Sequence, residues 1–223
     1  MSPDVAPVHE EVLDAAAIEI FARMGEQQEL ASFYLAGGTG VALQLGHRRS
    51  IDLDLFTERP WSFDRVRPAL SVVGQTVVDR AEPGTFVGTV GGVRVSLSHY
   101  EAPLLAEPIP TRFGIPLASL IDLACMKLIA VSQRGSRKDF VDLYYLGEHG
   151  IAVRDIVKAL ARKYPSTEYN PVHLLRSLAY FEDAEAEPDP VMLVPYSWDR
   201  VRRYALEQSQ ELLDGIAFDQ ESG

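Results

Sequence analysis

Between Phe33 and Phe56 the chain changes its hydrophobic period twice. An apolar run, Phe33-Tyr34-Leu35-Ala36, meets Gly37-Gly38-Thr39, and a helical stretch follows over 39–45 with Val41, Leu43 and Leu45 as its buried residues. Residues 50–56 then alternate, with Ile51, Leu53 and Leu55 pointing one way and Ser50, Asp52 and Asp54 the other. Strand, glycine turn, helix and half-buried strand in this order call for a sheet with a helix packed beside it.

The rest of the chain sorts unevenly around that segment. Residues 9–31 read as one amphipathic helix, with Val12, Ile18, Phe21, Ala22 and Leu30 as its stripe and Gly25 as a terminator. Residues 63–72 read as a short helix, and strands are predicted over 75–80, 85–90 and 93–100, with Gly91-Gly92 as a hairpin turn. The Pro-rich stretch 103–116 reads as extended. From Leu117 the pattern is helical: 117–133, 138–147, 153–164, 171–180 and 196–215, with the acidic stretch 182–190 as a loop. The fold class is therefore α+β, a small mixed sheet with flanking helices (residues 1–116) followed by a helical module (117–223), with a cleft between them as the expected ligand site.

Composition narrows the function classes. A chain of 223 residues with 47% hydrophobic and 24% charged content is an ordinary globular protein. No apolar run is long enough for a membrane span, the polar, acidic N-terminus does not resemble a signal peptide, and the single Cys125 excludes an intrachain disulfide. A cytoplasmic protein with no membrane partner is expected. The net charge of −11 argues against a general nucleic-acid binder, so any RNA must be met by a local basic patch.

The chemistry-bearing residues fall in two stretches. In the first, a Gly37-Gly38 turn before a helix can bring N–H groups to a phosphate, with Thr39 adding a hydroxyl or capping the helix. Asp52 and Asp54, two apart on a strand, can share Mg²⁺ ions; aspartates are disfavoured in strands and two on one face repel, which favours a bound cation. His47, Arg48 and Arg49 are either phosphate or acceptor contacts or a solvated loop. Together these residues suggest phosphoryl or nucleotidyl transfer.

In the second stretch, residues 119–147, Lys127 sits beside an apolar stripe with Arg134 further along the same side. Lys127 reads as a phosphate contact or a snorkelling surface lysine. Asp139 reads as a site residue or a helix cap, and Asp142 as a site residue or an ion-pair partner of Lys138. Tyr180-Phe181 and Tyr144-Tyr145 read as packing, as does Cys125.

The motif YLAGGTGVALQLGHRRSIDLDLF, followed downstream by MKLIAVSQRGSRKDFVDLYYL, resembles the AbiEii/AbiGii toxin family within the DNA polymerase beta-like nucleotidyltransferases. The resemblance implies a Mg²⁺-dependent enzyme that transfers NMP from an NTP to an acceptor hydroxyl, as the toxin of a type IV toxin–antitoxin system acting on tRNA, with a cognate antitoxin as partner. It further implies Gly37 and Gly38 as the nucleotide-phosphate turn, Asp52 and Asp54 as metal ligands, Lys127 as the nucleotide-contacting lysine and Asp142 as the acidic residue of the last motif. Arg134, Lys138 and Asp139 would line the same cleft. The sequence departs from the superfamily at the third carboxylate: Ser96 stands at the inward position of the later strand, with Asp142 or Glu101 as substitutes. A silent nucleotide-binding member and an antibiotic-type nucleotidyltransferase are the alternatives.

Overall fold

The computed structural model describes residues 7–167 and 169–221, and the residues divide into two compact units, Met1–Ser119 and Leu120–Gly223. The reading of the N-terminus as no signal peptide falls largely on residues 1–6, outside the described residues.

The first unit is built on a five-stranded mixed sheet: β1 (Tyr34–Leu35), β2 (Leu53–Thr57), β3 (Thr76–Glu82), β4 (Thr85–Val90) and β5 (Val93–His99), in the order β1-β2-β5-β4-β3. Only β2 and β5 run parallel; the other neighbours are antiparallel. Gly91 and Gly92 join β4 to β5 with φ of 58° and 85°, the paired left-handed geometry of a type I′ hairpin turn. One face is apolar: Leu53, Leu55, Phe86, Val95 and Leu97 are all fully buried. Phe21 and Met24 of α1 (Ala15–Gly25) and Leu70 of α3 (Phe63–Val73) join them in one core. The register Asp54↔Ser96 and Phe56↔Ser98 places those four residues together on the other, half-buried face.

The single helix expected over 9–31 is instead a 3-10 turn (Glu10–Val12), α1 and a second 3-10 turn (Gln28–Leu30). The break has a local cause. Leu13 is extended, and the Asp14 carboxylate accepts from Ala17 N–H at 2.8 Å, capping a new helix. The helix expected from Leu117 begins at Leu120, because Leu117 and Ala118 are drawn into strand-like pairing with Ile109 and Leu35.

The second unit is helical: α4 (Leu120–Gln133), α5 (Arg137–Glu148), α6 (Val153–Lys163), α7 (Pro171–Leu178), α8 (Glu182–Ala186) and α9 (Trp198–Glu221), where the α2 label belongs to Gly37–Leu45 of the first unit. Helix α4 is flanked by α5, α6 and α7, and α9 packs on those three. Residues 182–186 form a short helix where a loop was expected; Ala184 is its buried anchor, and Phe140, Phe181 and Trp198 stack beside it with ring centroids 5.1 and 6.1 Å apart. The fold class is thus the expected α+β arrangement of a small mixed sheet with helices. Among the described residues no helix is long and apolar enough to cross a membrane.

Candidate active site

The Gly37-Gly38 pair lies in the first turn of α2 and does not precede it. Its N-cap, Ala36, offers no side-chain acceptor, while Gly40 N–H returns to the Ala36 carbonyl at 3.0 Å. The N–H groups of Gly37, Gly38 and Thr39 lack an intrahelical carbonyl, and the dipole adds positive potential there. Gly37 holds φ +62°, and a Cβ on it would stand 2.8 Å from Asp54 Oδ2. A glycine is required twice over, by the backbone angle and by the carboxylate. Thr39 does not cap the helix. It is 1% exposed, shares a 2.7 Å hydrogen bond with Ser50 Oγ and donates to the Asp52 carbonyl, tying α2 to the approach of β2.

Burial alternates from Asp52 onward, with Leu53, Leu55 and Thr57 buried and Asp52, Asp54 and Phe56 half-buried; Ile51, expected to face the core, lies before the strand and is exposed. The Ala36 N–H donates to the Asp54 carbonyl at 3.0 Å, so the helix start and the carboxylate strand are hydrogen-bonded neighbours. Ser96, opposite Asp54 on β5, donates its hydroxyl to Asp54 Oδ1 at 2.6 Å. That bond fixes the carboxylate while Oδ2 faces Gly37. Among the described residues no lysine or arginine pairs with Asp52 or Asp54. Asp52 lies one residue before β2, so of the two carboxylates expected on one strand only Asp54 is on it. A carboxylate without a basic partner suits a hard cation, and Mg²⁺ is commonly held by one or two carboxylates with substrate phosphates completing its shell. The donor set therefore fits Mg²⁺ carried with a triphosphate. It does not amount to a self-sufficient protein cage, since no group of three His, Cys, Asp or Glu among the described residues could hold a metal ion.

His47 and Arg48 are buried, at 1% and 2% exposure, and the Arg48 guanidinium donates to the Arg49 carbonyl at 3.0 Å; only Arg49 is exposed. His47 and Arg48 are thus part of the packed structure and not a solvated loop, while Arg49 is exposed as that alternative has it.

In the second unit Lys127 is 5% exposed, and its ammonium lies 2.8 Å from Asp139 Oδ1 and 2.7 Å from Asp142 Oδ2. The snorkelling alternative is thereby corrected, as is the pairing of Asp142 with Lys138, which is exposed. Asp139 is not the helix cap: Ser136 is, accepting from Asp139 N–H, while Ser136 Oγ also donates to Asp139 Oδ2 at 2.8 Å. The Ser136-x-x-Asp139 spacing is a capping-box signature from which this could have been read. Arg134 reaches the same carboxylate through Nε at 2.8 Å and Nη2 at 3.2 Å. Burial alone would push the Asp139 carboxyl up; Lys127 and Arg134 outweigh it and hold the carboxyl below its ordinary value. A second ion pair went unread in the sequence: Lys163 Nζ to Asp122 Oδ1 at 2.7 Å, both fully buried between α6 and α4. Cys125 is buried on the same helix and burial pushes its thiol up to about 12, so it is a packing residue.

A mixed sheet, a glycine-led helix start and a carboxylate with no basic partner among the described residues are features that suit a nucleotidyltransferase core. Residues 19–219 match the family model "Nucleotidyl transferase AbiEii toxin, Type IV TA system", and the chain belongs to that family. It is 34% identical over 186 residues to the uncharacterized protein aq_aa25 of Aquifex aeolicus (strain VF5), covering 82% of this chain and 88% of the relative. Its fold is like that of MenT4, nucleotidyltransferase toxin Rv2826c from Mycobacterium tuberculosis H37Rv, with a TM-score of 0.56, 14% identity, and 90% and 86% of the two chains covered.

Proposed function

We propose that the protein is a Mg²⁺-dependent nucleotidyltransferase that moves NMP from an NTP to an acceptor hydroxyl, with tRNA as the acceptor and a separate antitoxin as its cognate partner. The observation that carries this reading is the Asp54 carboxylate, held by Ser96, seated against the uncapped Gly37 helix start and lacking any basic partner among the described residues. Gly37, Gly38 and Thr39 N–H groups bind and orient the triphosphate; Asp52 and Asp54 would hold the metal. When bound, Mg²⁺ supplies charge neutralisation to the phosphate oxygens. The acceptor oxygen forms a bond to the α-phosphorus as the bond to pyrophosphate breaks, and the hydroxyl proton passes to solvent water. Lys127 is proposed as the nucleotide-contacting lysine and Asp142 as its acidic partner, both roles taken from the family resemblance.

The test is incubation of the protein with each α-labelled NTP, Mg²⁺ and total tRNA. Label is expected on RNA with wild type and absent with Asp54→Ala; equal label in both, or none in either, overturns the reading. Ser96, which stands opposite Asp54 where a third carboxylate was expected, favours one alternative, a silent nucleotide-binding member. Calorimetry separates the two, since a silent member binds Mg²⁺ and NTP without releasing pyrophosphate.

A further inference from the structure

The second unit contains a cavity of about 340 Å³ between the end of α4 and the far end of α7, which lies at the lower end of ligand-pocket sizes of about 300–1,000 Å³. Its chemistry is unlike the surface of so acidic a chain. Arg134, Arg176, His173, Ser177 and Tyr180 line it, with Asp183 on one wall. Arg134 is anchored from below by Asp139, while its side chain remains 67% exposed. Arg176, in the last turn of α7, is exposed and pairs with no carboxylate among the described residues. The His173 ring is fixed by donation of Nε2–H to the Ser132 carbonyl at 3.0 Å.

The aromatic pair read from sequence as packing divides in two. Phe181 is 8% exposed and stacks on Phe140 and Trp198. Tyr180 is 50% exposed, opens onto the cavity and is steered by its hydroxyl, which donates to Glu182 Oε2 at 2.7 Å. Guanidinium groups beside a steered, exposed ring are what single-stranded nucleic acid requires: charge for the backbone phosphate and a π-face for a base. Inorganic phosphate has no use for the ring, and a purely apolar ligand has none for two arginines.

We propose that this cavity binds a single-stranded segment of the nucleic-acid acceptor, with a backbone phosphate on Arg176 and Arg134 and a base stacked on Tyr180. The inference rests on the reading that the acceptor is RNA. Asp183 and the Ser177 oxygen, whose proton goes to the His173 carbonyl at 2.8 Å, supply acceptors for base or sugar hydrogen bonds, so the basic character is confined to one wall.

The probe is a 5′-fluorescent single-stranded RNA 12-mer, and a DNA 12-mer of the same sequence, titrated by anisotropy with wild type, Arg176→Glu, Tyr180→Ala and Tyr180→Phe. The variants are first checked for unchanged thermal unfolding. Arg176→Glu is expected to weaken RNA binding about tenfold and to lower the salt slope by about one contact. Tyr180→Ala is expected to weaken it at least about fivefold, while Tyr180→Phe, which keeps the ring, stays close to wild type. Affinity for NTP, measured by calorimetry, stays unchanged. Parallel losses on DNA identify phosphate and base as the recognised groups; losses on RNA alone add the 2′-hydroxyl. RNA affinity unaltered by Arg176→Glu and Tyr180→Ala, or a loss of NTP affinity in its place, overturns the site. Should the wild type transfer NMP to RNA while the variants bind like wild type, the inference fails and the enzymatic reading stands. Variant-sensitive RNA binding without any transfer leaves a single-strand binding site standing but overturns its assignment to the acceptor.

Discussion

At the residue scale the site turns on how three small or short side chains share one space. Gly37 leaves room for Asp54, and Ser96 aims it. Gly37→Ala adds a methyl 2.8 Å from Asp54 Oδ2, too close for both to stay, and forces a non-glycine residue to φ +62°. The left-handed backbone alone costs roughly 1–2 kcal/mol. The denaturation midpoint in urea should therefore fall, and Mn²⁺ titrated as a Mg²⁺ probe should bind more weakly than its stability loss accounts for. Ser96→Ala makes the opposite separation. The side chain is half-buried and small, so the fold is expected to persist, while loss of the 2.6 Å bond frees the Asp54 carboxylate to rotate. Removing a group that orients a metal ligand typically costs about 10–100-fold in metal affinity or activity. Ser96→Thr, which keeps the hydroxyl, should recover most of it. Equal Mn²⁺ affinities for the wild type, Ser96→Ala and Ser96→Thr would leave the hydroxyl without a role in the site.

At the scale of elements, α4 and α5 are joined by charges as well as by packing. Lys127 bridges Asp139 and Asp142, and removing it takes the ammonium from two buried carboxylates, of which Asp139 keeps Arg134 and Ser136. Breaking a buried pair from one side costs about 3–5 kcal/mol, so Lys127→Met should unfold at clearly lower urea. Lys163→Met should do the same, whereas Lys163→Met with Asp122→Leu should recover much of the loss, because an apolar pair leaves no unmatched charge. Asp139 adds a pH signature. Its carboxyl is held below the ordinary value of about 3.9, so its contribution is complete above about pH 4 and fades as pH falls through the depressed folded value. The stability gap between wild type and Asp139→Asn should be wide at about pH 7 and narrow as pH falls below about 4; a gap constant with pH would remove the linkage. These charges also mark the limit of what could be read from sequence. Period two and the glycine punctuation made β2, β4, β5 and their turns legible, because those signals are local. Lys127 stood visibly beside an apolar stripe, yet nothing in α4 says that α5 will cover it. The 3.6-residue period identifies a face and not its neighbour. The same reason hid Lys163 and Asp122, which are 41 residues apart. The break at Leu13-Asp14 was missed because an aspartate inside an amphipathic pattern is as compatible with a surface position as with a cap.

At the scale of the whole molecule, the chain carries 32 acidic and 21 basic side chains, yet its proposed acceptor is a polyanion. The two statements are compatible only if attraction is local and repulsion is long-ranged, and that combination has a kinetic consequence. An RNA approaching from beyond a Debye length, about 8 Å at physiological ionic strength, meets a net charge of −11. Basic proteins are steered towards nucleic acid and lose association rate as salt is added. Here added salt screens a repulsion, so the association rate should hold steady or rise between low and physiological salt. Once bound, phosphate contacts at the arginines of the second unit are weakened by the same ions. Each neutralised phosphate of a single strand contributes a slope of about −0.7 in log K against log salt, so two arginine contacts give only about −1.4. The salt dependence should therefore be shallow and should reside in the dissociation rate. Stopped-flow anisotropy with labelled RNA at several salt concentrations measures both rates. An association rate that falls steeply with salt would reveal a basic steering surface and contradict a site confined to one small cavity on an acidic protein.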